Sequence, residues 1–545
     1  MKDITKKALR IAITGFCAVA LTVGVSACGG TKDGADGGAG DASLIKIGTI
    51  DKITSLDPAG SYDNGSFTTQ IQVFPMLFNY DHDAKAIVPD VAESGTFTSP
   101  DVYTVKLKSG LKWADDSPLT AEDVKFTFDR VKAIDDPNGP ASLLENLETV
   151  TVVDETTVEF KLANENDVVF ESVLSSPAGP LVPKAHFDAD KLTDPDTIVN
   201  AKAFGGQYII KTFKLNELIE MEANPNYGGL WGAPTTQQIQ VQYLSDASNL
   251  KLGIQNGDLD VAYRSLPAVD IEDLRKDENV EVVLGPGGEE RYIVFNLDLQ
   301  PYGAKTDTPD AAKALAVRQA IAHTVNRTEI AESVYKNTYT PIYSVVPEGF
   351  QGATTPLKEL YGDGNGGPDV DKAKKVLEDA EIEYPVTLKL QYNGDHYGTS
   401  SGDEYALIKS QLEGSGLFNV DLQQTEWVSY NKARLDSYPA YQLGWFPDYP
   451  DADNYLSPFF VENGFLHNNY SNKTVQDLIV KEQTDTDETS RLATIGELQT
   501  AVAKDLPTLP LLQGAQIAIV RKGVTGADRT LDPSFKFTYG FLAKN

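Results

Sequence analysis

An α/β fold with an inserted α+β region is predicted by two patterns in the sequence. Late in the chain, a strand-like stretch over 386–392, a helix over 403–413 and a strand-like stretch over 418–422 follow one another. Earlier, a helix with capping residues over 246–257 precedes the alternating residues 258–261. Such alternation builds parallel sheets, because the helix carries the chain across the sheet between strands.

Residues 76–183 are predicted to form the α+β region. Val102–Leu107 alternates apolar and polar side chains like a half-buried strand, and residues 150–162 alternate on both sides of a turn like a β-hairpin. Thr120, followed three residues later by Asp123, is typical of a helix start. Hairpins and a helix in one continuous stretch indicate an α+β unit.

The length of the chain indicates more than one domain. Its 545 residues are 41% hydrophobic and 23% charged, which is the composition of an ordinary globular protein. A chain of this length forms two or more domains, each with its own core. The run Gly285-Pro286-Gly287-Gly288 lies between the two α/β stretches, and we expect it to act as a hinge.

Charge and cysteine content exclude several classes of function. The formal net charge of −32 disfavours nucleic acid and anionic lipid as partners. The two cysteines, Cys17 and Cys28, are both N-terminal, so the folded body lacks disulfides, thiolate metal sites and cysteine nucleophiles. The five histidines are scattered without ligand spacing, and we predict no metal site and no cofactor.

The N-terminus has the features of a bacterial lipoprotein signal. Four basic residues between positions 2 and 10 precede the apolar run Ile11–Leu21, and Val25-Ser26-Ala27-Cys28 then resembles a lipobox. We predict a signal peptide over 1–27, acylation of Cys28, and a flexible tether over 28–43 that is rich in Gly, Ala and Asp. The alternative is an ordinary secretory signal with an incidental cysteine.

A G-x-S-x-G pattern at 398–402 leaves a secreted serine hydrolase open, with Ser400 as nucleophile and His467 downstream. A nucleophile elbow requires its serine on a tight turn directly after a strand, whereas residues 393–397 intervene after Tyr392. We therefore expect a protein without enzymatic activity and keep the hydrolase as an alternative.

A series of short sequence runs follows a fixed order along the chain. The runs are Ser55-Leu56-Asp57-Pro58, Leu107-Lys108-Ser109-Gly110-Leu111-Lys112-Trp113, Leu119-Thr120-Ala121-Glu122-Asp123-Val124, Asn224-Pro225-Asn226-Tyr227, Gln255-Asn256-Gly257-Asp258-Leu259-Asp260, Val317-Arg318-Gln319-Ala320-Ile321 with Asn326-Arg327, and Gly444-Trp445-Phe446-Pro447-Asp448-Tyr449. From about residue 45 to the end, this series resembles the family 5 extracellular solute-binding proteins, the peptide and nickel receptors of ABC importers.

The resemblance implies a fold like that of periplasmic binding proteins, in which two lobes joined by a hinge close on a ligand. Lobe I would consist of residues 44–75, 184–288 and 510–545, with residues 76–183 as an extra subdomain. Lobe II would consist of residues 289–509. The ABC permease, as the partner, would recognise the closed form.

The resemblance also implies a ligand-binding carboxylate at Asp448. In oligopeptide- and dipeptide-binding members, an aspartate at the matching place after Gly-Trp pairs with the α-ammonium of the ligand, a charge-assisted contact. The alternative is a solvated turn acid, because Asp448, Asp451 and Asp453 lie among Pro447 and Pro450.

Aromatic and polar residues complete the implied pocket. Trp445 and Trp427 resemble its aromatic walls, although Trp445 has the strand-like neighbours of a core residue. Arg434 matches a cleft arginine of the family, with a surface arginine as the alternative. Three residues would offer backbone groups of lobe I to an extended peptide: Tyr62, Asp63 and Asn64.

Gln442 departs from the family pattern. Oligopeptide-binding members carry an arginine at this place, three residues before the tryptophan, and that arginine can hold a ligand carboxylate. A neutral amide cannot form this ion pair. The C-terminus of the ligand is then held elsewhere or extends into solvent, or the ligand is not a free peptide.

We expect a monomeric receptor, anchored by Cys28 to the outer face of the cell membrane of a Gram-positive bacterium, that delivers a peptide to an ABC permease. The alternative with the same fold is an oligosaccharide receptor. In that case Trp427 and Trp445 would stack on sugars, and Asp448 would accept hydrogen bonds from hydroxyl groups.

Overall fold

The computed structural model describes residues 44–82, 86–264, 266–398, 400–462, 464–534 and 536–545. The predicted signal peptide over 1–27, the tether over 28–43 and Cys28 lie outside these residues. Within the described ranges, no helix combines the length and the apolar character that crossing a bilayer requires.

The strands of the described chain lie mostly in one large sheet. In chain order they are β1 (Leu44–Thr49), β2 (Phe78–Asp81), β3 (Ala86–Pro89), β4 (Ala92–Ser99), β5 (Val102–Leu107), β6 (Leu147–Asp154), β7 (Thr157–Leu162), β8 (Tyr208–Lys214), β9 (Leu218–Ala223), β10 (Gln238–Tyr243), β11 (Val261–Tyr263), β12 (Val280–Phe295), β13 (Tyr339–Pro341), β14 (Val386–Tyr392), β15 (Phe418–Gln424), β16 (Ala440–Trp445), β17 (Thr508–Arg521), β18 (Val524–Thr525) and β19 (Ala543–Lys544).

The helices cover the faces of the sheets. In chain order they are α1 (Asn64–Val73), α2 (Ala121–Ile134), α3 (Phe170–Val173), α4 (Pro195–Asn200), α5 (Ala247–Asn256), α6 (Ala268–Leu274), α7 (Ala311–Thr324), α8 (Arg327–Ser333), α9 (Pro356–Leu360), α10 (Val370–Asp379), α11 (Ser400–Gly414), α12 (Trp427–Ala433), α13 (Ser457–Phe460), α14 (Lys473–Thr484) and α15 (Glu488–Asp505). Short 3₁₀ turns lie at Pro58–Gly60, Ala141–Leu144, Ala452–Tyr455, Ala527–Arg529 and Tyr539–Phe541.

The large sheet has the strand order β15-β14-β16-β12-β17-β11-β1-β10-β9-β8, and β13 pairs with β17 at its side. We call β8, β9, β10, β1 and β11 the first half-sheet, and β16, β14 and β15 the second half-sheet. Strands β12 and β17 run between them and belong to both. Each half-sheet has its own apolar core: Ile45, Ile239 and Val241 are buried in the first, and Leu388 and Leu390 in the second.

The predicted crossover in the second half-sheet is confirmed. β14 has the predicted bounds, and it pairs in parallel with β15 on one side and β16 on the other. The connecting helix α11 begins at Ser400, three residues before the predicted start at Asp403, and ends at Gly414. This parallel unit requires the helical crossover that the sequence pattern indicated.

The crossover in the first half-sheet is confirmed with one correction. The Asp246 side chain caps α5 by accepting a hydrogen bond of 2.9 Å from the Asn249 amide, and Gly257 ends the helix at φ 83°. The strand predicted over 258–261 lies instead at Val261–Tyr263. The prediction was wrong because the amides of Asp258 and Leu259 both bond back to the Gly253 carbonyl and so complete the helix terminus.

The α+β region is also confirmed. A four-stranded antiparallel sheet has the order β4-β5-β7-β6, and the predicted hairpin pairs Val150 with Phe160 and Val152 with Val158. At the start of α2, the Thr120 amide donates a hydrogen bond of 2.9 Å to Asp123, which forms a capping box. The apolar face of α2 then packs on this sheet and closes a separate core.

The predicted hinge run 285–288 lies inside β12 and interrupts its ladder. Val280–Gly285 pairs with one end of β17 and Glu289–Val294 with the other, and the register shifts between Gly285 and Glu289. A Cβ atom at Gly287 would lie 1.8 Å from the Gly514 carbonyl oxygen, so the two backbones approach as only glycine permits. The run is therefore a bulge between the half-sheets and not a loop.

Candidate ligand-binding site

Six of the eight predicted ligand-binding residues line one cavity of about 420 Å³. They are Tyr62, Asp63, Asn64, Trp427, Trp445 and Asp448. The first three precede or begin α1, beside the first half-sheet. Of the others, Trp427 follows β15, Trp445 ends β16 and Asp448 follows β16 in the second half-sheet. We call this space the Asp448 cavity, and residues beside both half-sheets line it.

Asp448 follows β16 and is held by three hydrogen bonds. Its amide donates to Asn454 Oδ1 at 2.9 Å, and the Asn454 amide group donates to Asp448 Oδ2 at 3.3 Å. The Tyr62 hydroxyl donates to Asp448 Oδ1. Burial raises the pKa of Asp448 to about 6, although the hydrogen bonds from Tyr62 and Asn454 oppose this rise.

Asp448 has no cationic partner within the described chain. No lysine or arginine there forms an ion pair with its carboxylate or contributes to the shift of its pKa. A buried carboxylate without a counter-charge gains free energy when a cation binds beside it. The Asp448 cavity can therefore hold a cationic group of a ligand.

Asn454 is a residue of this site that sequence reasoning missed. Its Oδ1 accepts hydrogen bonds from the Trp445 indole N–H and from the Asp448 amide, each at 2.9 Å. Asn454 lies in the 3₁₀ turn Ala452–Tyr455, which the Asp451 side chain caps, and only 2% of its surface is exposed. It fixes the indole of Trp445 relative to the carboxylate of Asp448. A short polar turn offers no periodicity by which such a role could be predicted.

Trp427 is packed between two other rings. Its ring lies 3.7 Å from the ring of His396 at an angle of 6°, and 6.0 Å from the ring of Tyr430 at 23°. Its backbone amide, at the start of α12, donates to Asp395 Oδ1 at 3.1 Å. The indole of Trp427 is therefore stacked against His396, with Tyr430 nearly parallel to it, and the side chain also lines the cavity.

His396 was also missed, because the five histidines show no common spacing. Burial lowers the pKa of His396, while Asp395 opposes this shift, and the imidazole is therefore neutral at pH 7. His396 and Tyr397 line the Asp448 cavity together with Trp427. They give this wall an aromatic and uncharged surface.

Trp445 both lines the cavity and packs inward. Its ring contacts Phe459 edge to face at 5.0 Å and Phe465 at 5.6 Å. Trp445 is therefore partly a core residue, as the alternative interpretation expected, and partly the aromatic wall that was predicted.

Arg434 and Gln442 lie outside the Asp448 cavity, contrary to expectation. Arg434 is buried, lies over the Phe465 ring at 4.9 Å, and donates to Asn431 Oδ1 at 2.9 Å. The Gln442 side chain donates to Ser401 Oγ and accepts from the Asn393 amide, each at 3.0 Å. Spacing from a tryptophan does not determine which face of a helix or strand a side chain occupies, so we remove both residues from the proposed ligand contacts.

The Asp63 carboxylate is engaged in hydrogen bonds with its own helix, α1. As the N-cap of α1, its carboxylate accepts hydrogen bonds of 2.8 Å from the Ser66 amide and hydroxyl. Asn64 is the first residue of this helix. Asp63 thus fixes the start of α1 at the edge of the cavity, next to Tyr62.

A second cavity of about 380 Å³ adjoins the first, because His396, Tyr397 and Phe446 line both. Its charged lining residues are Arg264, Glu289 and Arg291. We call this space the arginine cavity. It lies between α6 and β11 on one side and β12 and α11 on the other.

The residues of the hydrolase pattern do not form a catalytic pair. Ser400 begins α11, eight residues after the end of β14 at Tyr392, and lines the arginine cavity. His467 lines neither cavity, and no hydrogen bond between Ser400 and His467 occurs in the described ranges. Thr399 of the same pattern lies outside those ranges.

Comparison with known families agrees with the fold. Residues 86–466 match the bacterial extracellular solute-binding proteins, family 5. The chain belongs to this family, and the predicted fold class is confirmed, since its structural neighbours are two-lobed periplasmic binding proteins.

Three individual proteins illustrate the similarity. The chain is 25% identical over 508 residues to the periplasmic oligopeptide-binding protein OppA of Escherichia coli (strain K12), covering 88% of this chain and 89% of that protein. It is 25% identical over 520 residues to the dipeptide-binding protein DppE of Bacillus subtilis (strain 168), covering 89% of each. The unliganded open form of the periplasmic murein tripeptide binding protein MppA superposes with a TM-score of 0.77 at 20% identity, covering 92% of this chain and 98% of that one.

Proposed function

We propose that this protein is the lipid-anchored, extracytoplasmic receptor of an ABC importer, which captures peptides between two lobes and delivers them to the permease. The observation that carries the proposal is the half-buried Asp448 carboxylate, which lines a cavity and has no cationic partner in the described chain. The α-ammonium of a peptide is a cation that such a carboxylate binds through charge-assisted hydrogen bonds.

The remainder of the cavity wall suits peptide side chains of varied shape. Trp445, Phe446, Phe465 and Tyr397 supply apolar area, and the polar groups that converge there are few. Aromatic walls with a small number of fixed polar groups are typical of small-molecule pockets, in which apolar contact gives affinity and polar groups give orientation.

An oligosaccharide ligand is less well supported by the same wall. A sugar stacks on the exposed face of an aromatic ring, but the Trp427 ring already stacks on His396 at 3.7 Å and has Tyr430 nearly parallel to it at 6.0 Å. Trp445 is likewise packed against Phe459 and Phe465. The geometry therefore favours the peptide over the sugar.

The relatives support the same choice. The two sequence relatives are named for oligopeptide and dipeptide binding, and the structural neighbour is named for binding murein tripeptide. The chain covers nearly the full length of each.

The lobe boundaries are part of the proposal. Lobe I comprises residues 44–75, 184–288 and 510–545 with the subdomain 76–183, and lobe II comprises residues 289–509. The break in the β12 ladder between Gly285 and Glu289 supports a hinge at this junction. Ligand held between the lobes would favour the closed form, for which the permease is the partner.

Anchoring completes the proposed role. Acylation of Cys28, followed by the tether over 28–43, would keep a monomeric receptor at the outer face of the cell membrane. In a Gram-positive bacterium, which has no outer membrane to confine a secreted receptor, such tethering is required for local capture.

The proposal is tested by a thermal-shift screen of the protein with two ligand sets. One set contains peptides of two to five residues, and the other contains cello- and manno-oligosaccharides. Peptides should raise the melting temperature and the sugars should not, because a ligand that binds only the folded state stabilises it, by an amount that grows with the logarithm of the ratio of ligand concentration to Kd. Stabilisation by the sugars alone would reject the peptide assignment. Esterase activity abolished by Ser400→Ala would instead favour the hydrolase.

A further inference from the structure

The proposed subdomain over 76–183 contacts the proposed lobe II through the backbone. The Val168 amide donates a hydrogen bond of 3.0 Å to the Gln483 carbonyl. Val168 lies between β7 and α3 of the subdomain, and Gln483 lies in the last turn of α14. The last four carbonyls of a helix have no partner within the helix, and an external N–H group can satisfy them. The end of α14 therefore offers a hydrogen-bond acceptor to the subdomain.

A cavity of about 420 Å³ lies beside this contact, since Val168 is among the residues that line it. We call this space the subdomain cavity. Its other lining residues include Phe97, Tyr103 and Glu171 from the subdomain and Phe350, Asp451 and Arg491 from lobe II. Within the described ranges, it shares no lining residue with the Asp448 cavity. The subdomain and lobe II therefore border a common space that is separate from the ligand-binding site.

The Gln483 side chain connects this contact to the ligand-binding site. Its Nε2 donates a hydrogen bond of 3.1 Å to Asp453 Oδ1. Asp453 lies in the same 3₁₀ turn as Asn454, which bonds to the Asp448 amide and the Trp445 indole. Gln483 thus contacts the subdomain through its backbone and the turn beside Asp448 through its side chain.

Arg491 of α15 fixes the same turn relative to the end of α14. Its guanidinium donates two hydrogen bonds to Asp451, of 2.9 and 2.7 Å, and its Nε donates to Glu482 at 3.1 Å. Asp451 caps the 3₁₀ turn, and Glu482 directly precedes Gln483. A bidentate pair of this kind holds its two planar groups in a fixed orientation. Lobe II therefore presents the Gln483 carbonyl on a rigid base.

Two carboxylates beside the contact limit its strength. Asp167 directly precedes Val168, and burial together with the negative charge of Asp453 raises the pKa of Asp167. A single backbone hydrogen bond changes an equilibrium constant by a factor of about 2 to 10, and the repulsion between Asp167 and Asp453 opposes it. A contact of this small net strength can form and break as the lobes move.

From this arrangement we infer that the subdomain 76–183 is a second closing surface of the receptor, which docks on the end of α14 and holds the lobes closed on the peptide. The inference rests on the proposed peptide-binding function and adds a contact that lies outside the ligand-binding site. The Tyr62–Asp448 hydrogen bond, which joins the two sides of the Asp448 cavity, occurs in the same arrangement of the chain. Docking of the subdomain is therefore compatible with close approach across the ligand cavity, and Gln483 links the two through Asp453.

Hydrogen exchange of the native protein, followed by mass spectrometry, tests whether a bound peptide strengthens the contact. The probe is the oligo-alanine or oligo-leucine of two to five residues that binds most tightly in calorimetry. The segment that contains Val168 should exchange at least about fivefold more slowly with this peptide, because an amide exchanges only when its hydrogen bond opens. The segment around Val105, which pairs with Val158 within the subdomain, is the control and should not change. Equal exchange at Val168 with and without peptide would overturn the inference.

Gln483→Ala tests the link to the ligand-binding site. It removes the hydrogen bond to Asp453 and should weaken peptide binding by about 2- to 10-fold. Gln476→Ala is the matched control, because Gln476 lies on the same helix and its side chain bonds only to the exposed Ser471 within the described ranges. Native affinity in Gln483→Ala would contradict the inference.

A reversible cross-link tests the direction of the effect. The described ranges contain no cysteine, so Val168→Cys combined with Gln483→Cys introduces a pair that forms a disulfide without competition there. When the disulfide is formed with peptide bound, release should be at least about 10-fold slower than in the reduced protein, because the lobes must open before the peptide leaves. Unchanged or faster release after oxidation would overturn the inference alone. Failure of every peptide to bind the native protein would overturn the proposed function and the inference with it.

Discussion

The Tyr62 hydroxyl donates a hydrogen bond to the Asp448 carboxylate and so joins two residues that are 386 positions apart in the chain. Tyr62 precedes α1, next to the first half-sheet, and Asp448 follows β16 of the second. Burial and the charge of Asp448 both raise the pKa of Tyr62, so the hydroxyl remains protonated and acts as a donor throughout the physiological range. The bond orients the carboxylate and connects the two sides of the cavity.

Replacing Tyr62 by phenylalanine should raise the pKa of Asp448 further above 6. The hydroxyl stabilises the ionised carboxylate, and a hydrogen bond to a charged group contributes about 1.5–3 kcal/mol, which corresponds to an upward shift of roughly one pKa unit or more. Carboxyl carbon chemical shifts, followed by NMR as the pH is varied, measure this pKa directly. Tyr384→Phe is the control, since Tyr384 donates to Glu378 at an exposed position. An unchanged pKa in Tyr62→Phe would show that the hydrogen bond is not made in solution.

Peptide affinity should fall as the pH is lowered from 7 to 5. With a pKa of about 6, Asp448 is mostly ionised at pH 7 and mostly protonated at pH 5, and a protonated carboxyl cannot pair with an ammonium group. Proton linkage then predicts a loss of roughly tenfold in affinity. His396 lines the same cavity and is also titratable, although burial lowers its pKa, so Asp448→Asn is needed to separate the two groups. A persistent tenfold loss in that variant would assign the effect to His396.

The same carboxylate should destabilise the folded protein at neutral pH. The pKa of Asp448 is raised from 3.8 to about 6, so between these values the folded state binds more protons than the unfolded state and its stability falls as the pH rises. The full shift corresponds to about 3 kcal/mol. Asp448→Asn should therefore be more stable than the native protein at pH 7.5, by about 1–3 kcal/mol, and equal to it near pH 4. Urea unfolding at both pH values measures the difference, and a less stable variant at pH 7.5 would contradict it.

The parallel units and the hairpin were predictable because their signals are local. Asp246 caps the start of α5 and Gly257 ends it, so both signals lie within one helix. The alternation in β14 and β15 likewise reflects faces that are buried within the same unit. The continuity of the large sheet was not predictable, because β12 and β17 pair across more than 200 residues. For the same reason the sequence indicated a hinge at 285–288 but not that the run lies within a strand, where its glycines accommodate a bulge.

The position of a site residue was predictable where a sequence motif determines the path of the backbone. It was not predictable where the side chain can lie on either face of a strand or helix. Trp445 ends β16 and Asp448 follows it in a recognisable order, and both residues line one cavity. Gln442, in the same strand, instead bonds to Ser401 of α11. Asn454 could be recognised only from the structure. Its role depends on the 3₁₀ turn Ala452–Tyr455, which brings its side chain to the Trp445 indole and the Asp448 amide.

Gly287→Ala should destabilise the junction between the half-sheets. The added Cβ would meet the Gly514 carbonyl oxygen at 1.8 Å, which forces β12 and β17 apart, and overpacking of this kind costs about 1–3 kcal/mol or more. Gly402→Ala in α11 is the matched control: its Cβ would lie 3.7 Å from the nearest heavy atom, the Tyr392 hydroxyl oxygen, and alanine favours a helix by up to about 1 kcal/mol. Chemical unfolding of both variants should show opposite signs. Equal stability of native protein and Gly287→Ala would contradict the close approach of the strands.

Cys28→Ser should release the protein from the membrane. Labelled palmitate should enter the native protein and not the variant, because the proposed lipid is attached after cleavage at residue 27, on the only cysteine of the mature chain. Ser26→Ala, which keeps the cysteine and a small residue before it, is the control and should still be labelled. Labelling of Cys28→Ser would reject Cys28 as the anchor.

Calorimetry of one peptide in free and N-acetylated form, with native protein and Asp448→Asn, tests directly whether Asp448 binds the α-ammonium of the ligand. Asp436→Asn, at an exposed position, is the control for loss of a surface charge. We expect acetylation and Asp448→Asn each to weaken binding by about 10- to 100-fold, and the two together to weaken it little more than either alone. Tight binding of the N-acetylated peptide to native protein, or of the free peptide to Asp448→Asn, would contradict the assignment of Asp448 as the ammonium site.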